Sequence, residues 1–194
     1  SGDDSIKIWN QEDGSLLRTL TGHSDWLTSL AVLPNGHLAS VSSDKTIKIW
    51  NTSDGSLIRT LDNNTNYVTS LTALPNGHLV TGSHENLIKI LNPNDGSLIR
   101  TLTDHTETVS SVAVLSNGRY LASGSWDMTI KIWNPKDGSL MRTLAGHTDR
   151  ITSLATLPNR YLASGSRDGS IKIWNLNDDW SLCKRLSNRK INHN

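Results

Sequence analysis

The sequence predicts an all-β protein made of repeated four-stranded antiparallel sheets. Three observations predict this class: a period of about forty-one residues, alternation of apolar and polar residues within each period, and Asn-Gly or Asp-Gly pairs at fixed places. The period is marked by segments that start 41, 41, 42 and 41 residues apart: Ile6-Lys7-Ile8-Trp9, Ile47-Lys48-Ile49-Trp50, Ile88-Lys89-Ile90-Leu91, Ile130-Lys131-Ile132-Trp133 and Ile171-Lys172-Ile173-Trp174. Such a period indicates one supersecondary unit copied several times, whose apolar faces are buried only when neighbouring copies stack.

Each unit is predicted to contain four short strands joined by turns. Alternation marks the strands, and the Asn-Gly and Asp-Gly pairs mark hairpins because both central residues of a type I′ turn need positive φ. In residues 21–61 the elements are, in order, the strand Trp26–Leu33, the turn Pro34-Asn35-Gly36, the strand His37–Ser42, the turn Ser43-Asp44-Lys45, the strand Thr46–Asn51, the turn Asp54-Gly55 and the strand Ser56–Leu61. Four consecutive strands in this order form one meander sheet.

The units are predicted to form a single domain over residues 1–186. No long linker or low-complexity stretch separates them. The domain comprises a half unit, 1–20, that holds only the last two strands, then the units 21–61, 62–102, 103–144 and 145–186, and 187–194 form a polar tail. Because the chain starts at Ser1 in the middle of a repeat, we expect a processed product or a fragment of a longer chain.

Composition narrows the classes of partner. The formal net charge is +1, so the chain has no electrostatic footprint for nucleic acid or an acidic membrane, and neither is expected as a partner. Cys183 is the only cysteine, so no intrachain disulfide can form, and no apolar run approaches the roughly 18 residues of a membrane span. Nothing in the repeats selects a compartment; our expectation is intracellular, cytoplasmic.

A His, a Ser, an Asp and a Trp recur at equivalent places. The sets are His23, Ser40, Asp44 and Trp50; His105, Ser123, Asp127 and Trp133; and His147, Ser164, Asp168 and Trp174. A hydrolase triad would use the first three residue types. A catalytic constellation is needed once, however, whereas a group repeated in every regular unit is structural. The unit 62–102 breaks the set with Asn64, Thr81, Glu85 and Leu91, and we expect it to be the softest complete unit.

Metal binding and catalysis are not expected. His37 and His78 each follow a turn, one per unit, and nothing clusters at ligand spacing. The sequence therefore predicts no enzyme, no cofactor and no metal site.

The repeated motifs resemble the WD-repeat family of β-propellers. The residues that carry the resemblance are Gly22-His23, Leu38-Ala39-Ser40, Asp44 and Ile47-Lys48-Ile49-Trp50-Asn51, and it covers nearly the whole chain. The resemblance implies blades of four antiparallel strands, with the first strand at a central channel and the fourth at the outside. It also implies that each His, Ser, Asp and Trp set is a hydrogen-bonded chain that closes its blade. The final Asp of the family motif is Asn here, as in Asn51.

Function is expected at positions that the repeats do not share. The Asn-Gly and Asp-Gly turns hardly change, and in a meander they lie on one rim, which we call the turn rim. On the opposite rim, equivalent positions differ; we call these residues the aromatic rim: Trp26, Tyr67, Thr108 and Arg150 before the first strand, and Ser43, His84, Trp126 and Arg167 before the turn acid. Aromatic residues and Arg commonly supply interface hot spots, and in WD-repeat proteins this rim is the usual partner-binding surface.

The sequence therefore predicts a noncatalytic scaffold that binds a protein or peptide with an acidic or apolar anchor. In the plainer alternative, near-identical repeats have drifted at exposed loops and these residues bind nothing.

Ring closure gives a second hypothesis. Four complete units and a half unit are too few to close a ring comfortably, because propellers of this family mostly have seven or eight blades. An open arc would expose on the order of several hundred Å² of apolar surface on each of two bare faces. Two chains related by a twofold axis could close one ring, so another copy of the chain is an expected partner and a homodimer the expected assembly. Trp180 would then pack on a partner subunit or cap its own blade.

Overall fold

The computed structural model describes residues 3–62, 67–115, 118–177 and 182–187. The predicted tail beyond Ser187, and the predictions made for Asn64 and Trp180, lie outside these residues. The strands are β1 (Ile6–Trp9), β2 (Leu16–Leu20), β3 (Leu27–Val32), β4 (Leu38–Ser42), β5 (Ile47–Trp50), β6 (Leu57–Leu61), β7 (Val68–Ala73), β8 (Leu79–Ser83), β9 (Leu87–Leu91), β10 (Leu98–Thr103), β11 (Val109–Leu115), β12 (Tyr120–Ser125), β13 (Ile130–Trp133), β14 (Leu140–Leu144), β15 (Ile151–Leu157), β16 (Tyr161–Ser166), β17 (Ser170–Asn175) and β18 (Leu182–Ser187). A 3-10 turn at Pro158–Arg160 joins β15 to β16.

The strands form a row of antiparallel sheets, as the alternation and the turns predict. The strand orders are β1-β2, β3-β4-β5-β6, β7-β8-β9-β10, β11-β12-β13-β14 and β15-β16-β17-β18. The all-β class and the four-stranded antiparallel sheets are therefore confirmed, and this architecture fits a β-propeller.

Neighbouring sheets stack face to face, and the core lies between them. One cluster joins Ile47, Ile49 and Val41 of the sheet β3–β6 to Leu71 and Leu79 of the next sheet. Equivalent clusters lie between the second and third four-stranded sheets and between the third and fourth. Strands β4 and β5 are buried along their whole length because they have a sheet on either side.

Two hydroxyl side chains on the first strand of a four-stranded sheet form hydrogen bonds to the following sheet, and this occurs on β3, β7 and β11. The pairing of β3 with β4 skips Thr28, which is the extra residue of a β-bulge, and its Oγ1 donates to the carbonyl of Val68 at 2.8 Å. Ser29 Oγ accepts from the amide of Leu71 at 3.0 Å. A bulge turns a side chain out of the regular alternation. The same pair of contacts recurs from Thr69 and Ser70 to β11 and from Ser110 and Ser111 to β15.

Candidate functional site

The recurring polar residues come together in the three regular sheets. In the first, His23 Nδ1 lies 2.7 Å from Asp44 Oδ2 and His23 Nε2 lies 2.7 Å from Ser40 Oγ, while Trp50 Nε1 donates to Ser40 Oγ at 2.8 Å. The two other predicted sets have the same contacts, at 2.6 to 2.8 Å. Each of the three serines is buried, and its hydroxyl contacts both an imidazole and an indole. A hydroxyl in that position is enclosed by its own sheet, and the contacts support a structural role.

The carboxylates of these sets are held in the ionised form. Burial of Asp44 alone would raise its pKa, but hydrogen bonds from His23, from the side chain and amide of Thr46 and from the amide of Ser24 lower the pKa to about 2. The pKa of Asp127 and that of Asp168 are lowered in the same way, against burial, by hydrogen bonds from their own histidines and from Thr129 and Ser170. Hydrogen bonds to a carboxylate favour its charged state.

The sheet β7–β10 departs from this pattern. Leu91 is fully buried where the other sheets have Trp, Thr81 is buried in place of Ser, and Glu85 is exposed. No indole N–H therefore reaches a hydroxyl at this point of the sheet. That this sheet is the least stable stays a prediction.

The aromatic rim is assembled in pairs by backbone hydrogen bonds. Within each sheet, the residue before the turn acid donates its amide to the carbonyl of the residue that precedes the first strand. The pairs are Ser43 to Trp26 at 2.8 Å, His84 to Tyr67 at 3.1 Å, Trp126 to Thr108 at 2.9 Å and Arg167 to Arg150 at 2.9 Å. The two positions that the internal comparison singled out thus lie side by side on every sheet.

Between sheets, the side chains of the aromatic rim form a continuous series. The rings of Tyr67 and His84 meet edge to face with centroids 6.3 Å apart, and those of His84 and Trp126 do so at 5.6 Å. The guanidinium of Arg150 lies 4.2 Å from the centroid of the Trp126 ring, and Lys45 Nζ lies 5.9 Å from that of Tyr67. A series of three rings, with a cation at each end, therefore runs across all four complete sheets.

Seven of the eight predicted residues of the aromatic rim are exposed or half-buried. Trp26 and Tyr67 are 67% and 59% exposed. His84 and Arg167 are also exposed, and Ser43, Trp126 and Arg150 are half-buried.

Thr108 is 7% exposed, and its Oγ1 lies 3.1 Å from His84 Nδ1. Thr108 is therefore buried beneath His84 and contacts its ring, and its own side chain is not exposed to a partner.

Lys45 is a rim residue that the sequence reasoning missed. It follows the turn acid, and the residues at its equivalent positions are Asn86, Met128 and Gly169. All four have positive φ, between 65° and 75°. The variation at this position was a signal of the same kind as that at Ser43 and its equivalents, and could have identified Lys45.

Two other classes of feature, metal sites and membrane-spanning helices, are absent from the described residues. Among residues 3–62, 67–115, 118–177 and 182–187, no group of three or more His, Cys, Asp or Glu side chains is arranged to hold a metal ion. In the same part of the chain no helix has the length and apolar character needed to cross a membrane.

Comparison with known proteins identifies the family. The family model described as "WD domain, G-beta repeat" matches residues 14–51, 55–92, 96–134 and 138–175. Each match begins near an Asp-Gly turn, covers the outer strand of one sheet and continues through the first three strands of the next. The chain belongs to the WD-repeat family, whose members generally act as noncatalytic scaffolds for protein interactions.

One curated relative matches a short part of the chain. Nuclear distribution protein PAC1 of Mycosarcoma maydis is 50% identical over 36 residues, which are 19% of this chain and 8% of that protein. The match is shorter than one repeat of this chain and spans a small part of that relative's length, so the likeness adds nothing specific about function.

Proposed function

We propose that the chain is a noncatalytic scaffold that binds a protein or peptide through the aromatic rim. The observation that supports this most directly is the continuous series of cations and rings from Lys45 to Arg150, flanked by the exposed ring of Trp26. Trp, Tyr and Arg dominate binding energy at protein interfaces. A partner would lay an apolar or acidic anchor across this series.

The rim side chains are held in place before a partner arrives. Thr108 holds His84 through a hydrogen bond, Arg150 stacks on Trp126, and both pairs sit on loops fixed by backbone hydrogen bonds. Each side chain that is already ordered saves about 0.5 to 1.5 kcal/mol of ordering cost on binding. The frame beneath is a stack of sheets with buried cores, so the scaffold presents a fixed surface.

The test is quantitative capture with the chain and two variants. The double substitution Trp26→Ala and Trp126→Ala removes the largest rim rings. Ile58→Ala is a matched control, because Ile58 is 44% exposed on the outer strand β6, outside the aromatic rim. We expect the rim variant to fold normally by circular dichroism and to lose partners that the parent chain and Ile58→Ala both retain. If the three proteins capture the same partners in equal amounts, the aromatic rim is not the binding surface.

Self-assembly is a second candidate, and the two ends of the row of sheets support it. Ile171 in the last sheet is 48% exposed, whereas its equivalents Ile47 and Ile130 are fully buried. Trp9 in the two-stranded sheet is 54% exposed, whereas its equivalent Trp50 is 1% exposed. The last sheet and the first therefore present opposite halves of the contact that joins neighbouring sheets, and a second copy of the chain is the matching partner.

A further inference from the structure

A cleft opens on the turn rim between the sheets β7–β10 and β11–β14. The two kinds of turn meet on this rim, as shown by Thr52 Oγ1, which donates to the carbonyl of Gly36 at 2.9 Å. The cleft has a volume of about 370 Å³. Its lining is mainly apolar and contains Leu74, Pro75, Ile90, Ile99 and Pro135, together with Asn76, His78, Gly118 and Lys136.

A second cleft continues the first along the sheet β11–β14. The two share Gly118 and Lys136, and the second adds Arg119, Tyr120 and Met141. The guanidinium of Arg119 lies 5.2 Å from the centroid of the Tyr120 ring. Together they form one groove, which we call the turn-rim groove. Its first cleft is mainly apolar, and its second contains the two cations Arg119 and Lys136 beside Tyr120 and Met141.

The charged side chains that line the turn-rim groove are cations. No carboxylate lines either cleft among the described residues. The nearest acid in the adjoining turn, Asp137, accepts from the amide and hydroxyl of Ser139 at 2.8 and 2.7 Å and from Asn134 Nδ2 at 2.8 Å. The guanidinium of Arg100 donates to the carbonyl of Lys136 at 3.1 Å. Hydrogen bonds from Ser139 and the charge of Arg100 both lower the pKa of Asp137, so the charges of Arg100 and Asp137 offset each other beside this turn.

The pair of cations distinguishes this groove, since among the described residues the cleft between the last two sheets is lined by the single cation Arg160. The equivalent cleft between the sheets β3–β6 and β7–β10 is lined by asparagines and prolines and by neither Lys nor Arg. Lys136 occupies the place of Ser53 and Asn94, and Arg119 follows an Asn-Gly pair where the earlier units have His37 and His78. The Asn-Gly and Asp-Gly pairs hardly change from unit to unit, but the residues that flank them do.

We propose that the turn-rim groove is a second docking surface, which takes an acidic peptide segment with at least one aliphatic or aromatic side chain. The apolar side chain enters the first cleft over Ile90 and Ile99, and the carboxylates face Lys136 and Arg119. Charge complementarity selects this occupant, because two cations lie beside a mainly apolar cleft that holds no acid. This inference is independent of the aromatic rim and would let one chain hold two partners on opposite rims.

The test uses fluorescent nine-residue peptides that vary only in composition. The panel contains one peptide of alternating Asp and Leu, one of Asp and Ser, and one of Lys and Leu, and binding is followed by fluorescence anisotropy. We expect the Asp and Leu peptide to bind best. The double charge reversal Lys136→Glu and Arg119→Glu should weaken it at least tenfold, and Ile99→Ser should also weaken it.

Controls separate the turn-rim groove from general attraction. Arg160→Glu reverses a single charge on the same rim, in the cleft between the last two sheets, and should leave binding unchanged, whereas the matching single reversal Arg119→Glu should weaken it. Trp26→Ala with Trp126→Ala should do the same, so this test stands whether or not the aromatic rim binds. Equal binding of the Asp and Ser peptide would indicate a simple anion site. That result, no binding of the Asp and Leu peptide up to millimolar concentration, or an equal loss with Arg160→Glu, would overturn the proposal.

Discussion

Ser164 shows how much depends on one hydroxyl. Its Oγ contacts His147 Nε2 and accepts from Trp174 Nε1, each at 2.8 Å, inside a buried part of the last sheet. Ser164→Ala removes the hydroxyl that both groups contact, and each buried hydrogen bond lost in this way costs about 1 to 3 kcal/mol. We expect the free energy of unfolding, measured in urea, to fall by about 2 to 4 kcal/mol on this basis.

The irregular sheet provides the matched control for that substitution. Thr81→Val removes the equivalent hydroxyl where Leu91 replaces the Trp, so no indole is left unpaired. Its effect should be clearly smaller. Equal losses for the two variants would mean that the indole and imidazole contacts do not stabilise the regular sheets.

Asp44 makes the stability of its sheet depend on acid pH. Its pKa is lowered from 3.8 to about 2 in the folded chain, so the unfolded chain binds its proton first as the pH falls. The stabilisation is therefore complete above about pH 4 and is lost as the pH falls toward 2. Urea titrations at several pH values should show this loss, and Asp44→Asn should be less stable at pH 7 and show a shallower decline below pH 4. An unchanged decline in the variant would contradict the assignment.

The sequence predicted which residues form the aromatic rim, but it did not predict which of their side chains are buried. The variation among Trp26, Tyr67 and their equivalents predicted which positions lie together. It could not show that Thr108 is buried beneath His84, because the position varies there just as it does where the side chain is exposed. Only the contact between adjacent sheets distinguishes the two cases.

At the scale of strands and turns, the repeat predicts the order of elements well and their ends less well. The predicted first strand runs from Trp26 to Leu33, whereas β3 covers Leu27–Val32. Leu33 belongs to the turn, because its amide donates to the carbonyl of His37 at 2.8 Å and its carbonyl accepts from Gly36 at 2.9 Å. Apolar alternation continues through such a residue, since Leu33 is buried in the core as a strand residue would be.

The β-bulges were beyond prediction for a related reason. Thr28 fits the alternation of β3, but the register shifts between Leu27 and Ser29 and turns its hydroxyl to the neighbouring sheet. The alternation of apolar and polar residues indicates which face of a strand is apolar, but it does not indicate which side chains bond to the next sheet. The partner of Thr28 is the carbonyl of Val68, forty residues further along, and no pattern inside one repeat identifies it.

Gly124 tests how closely two sheets pack. A Cβ added there would lie 2.6 Å from Ile151 Cγ2 of the next sheet, which is closer than real Cβ contacts allow. Overpacking a core in this way typically costs about 1 to 3 kcal/mol, so Gly124→Ala should lower the free energy of unfolding by about that amount. Urea unfolding of the variant checks the value.

The last sheet carries the control for this packing experiment. Gly165 occupies the equivalent position, and the atom that its added Cβ would approach most closely is the hydroxyl oxygen of Ser153 in the same sheet. Gly165→Ala should therefore cost less than Gly124→Ala. A larger loss for Gly165→Ala would mean that this glycine is required within its own sheet, and the contact between sheets would not explain Gly124.

For the whole molecule, the two rims offer separate surfaces on one frame. The aromatic rim carries the stacked rings of His84 and Trp126, and the turn rim carries the turn-rim groove with Lys136 and Arg119. The stacked sheets separate the two surfaces and keep each one fixed. A scaffold of this kind can hold two partners at once, and substitutions on one rim should leave binding at the other unchanged.

The ends of the row are the surfaces through which we expect copies of the chain to associate. Ile171 and Trp9 are half-exposed members of a contact that is fully buried inside the row. Burying such apolar surface is favourable, and a head-to-tail contact repeated about a twofold axis closes on itself. We expect light scattering on a sizing column to give the mass of a dimer, twice 21.3 kDa, for the parent chain.

Two variants test that the dimer forms through these end faces. Ile171→Glu and Trp9→Ser each alter one face and should yield a monomer with an unchanged circular dichroism spectrum. Ile58→Glu is the matched control, because Ile58 has an exposed fraction of 44%, close to the 48% of Ile171, but lies on an outer strand. It should leave the mass unchanged. If the parent chain is a monomer at every concentration, or if all three variants remain dimers, association does not occur through the ends of the row.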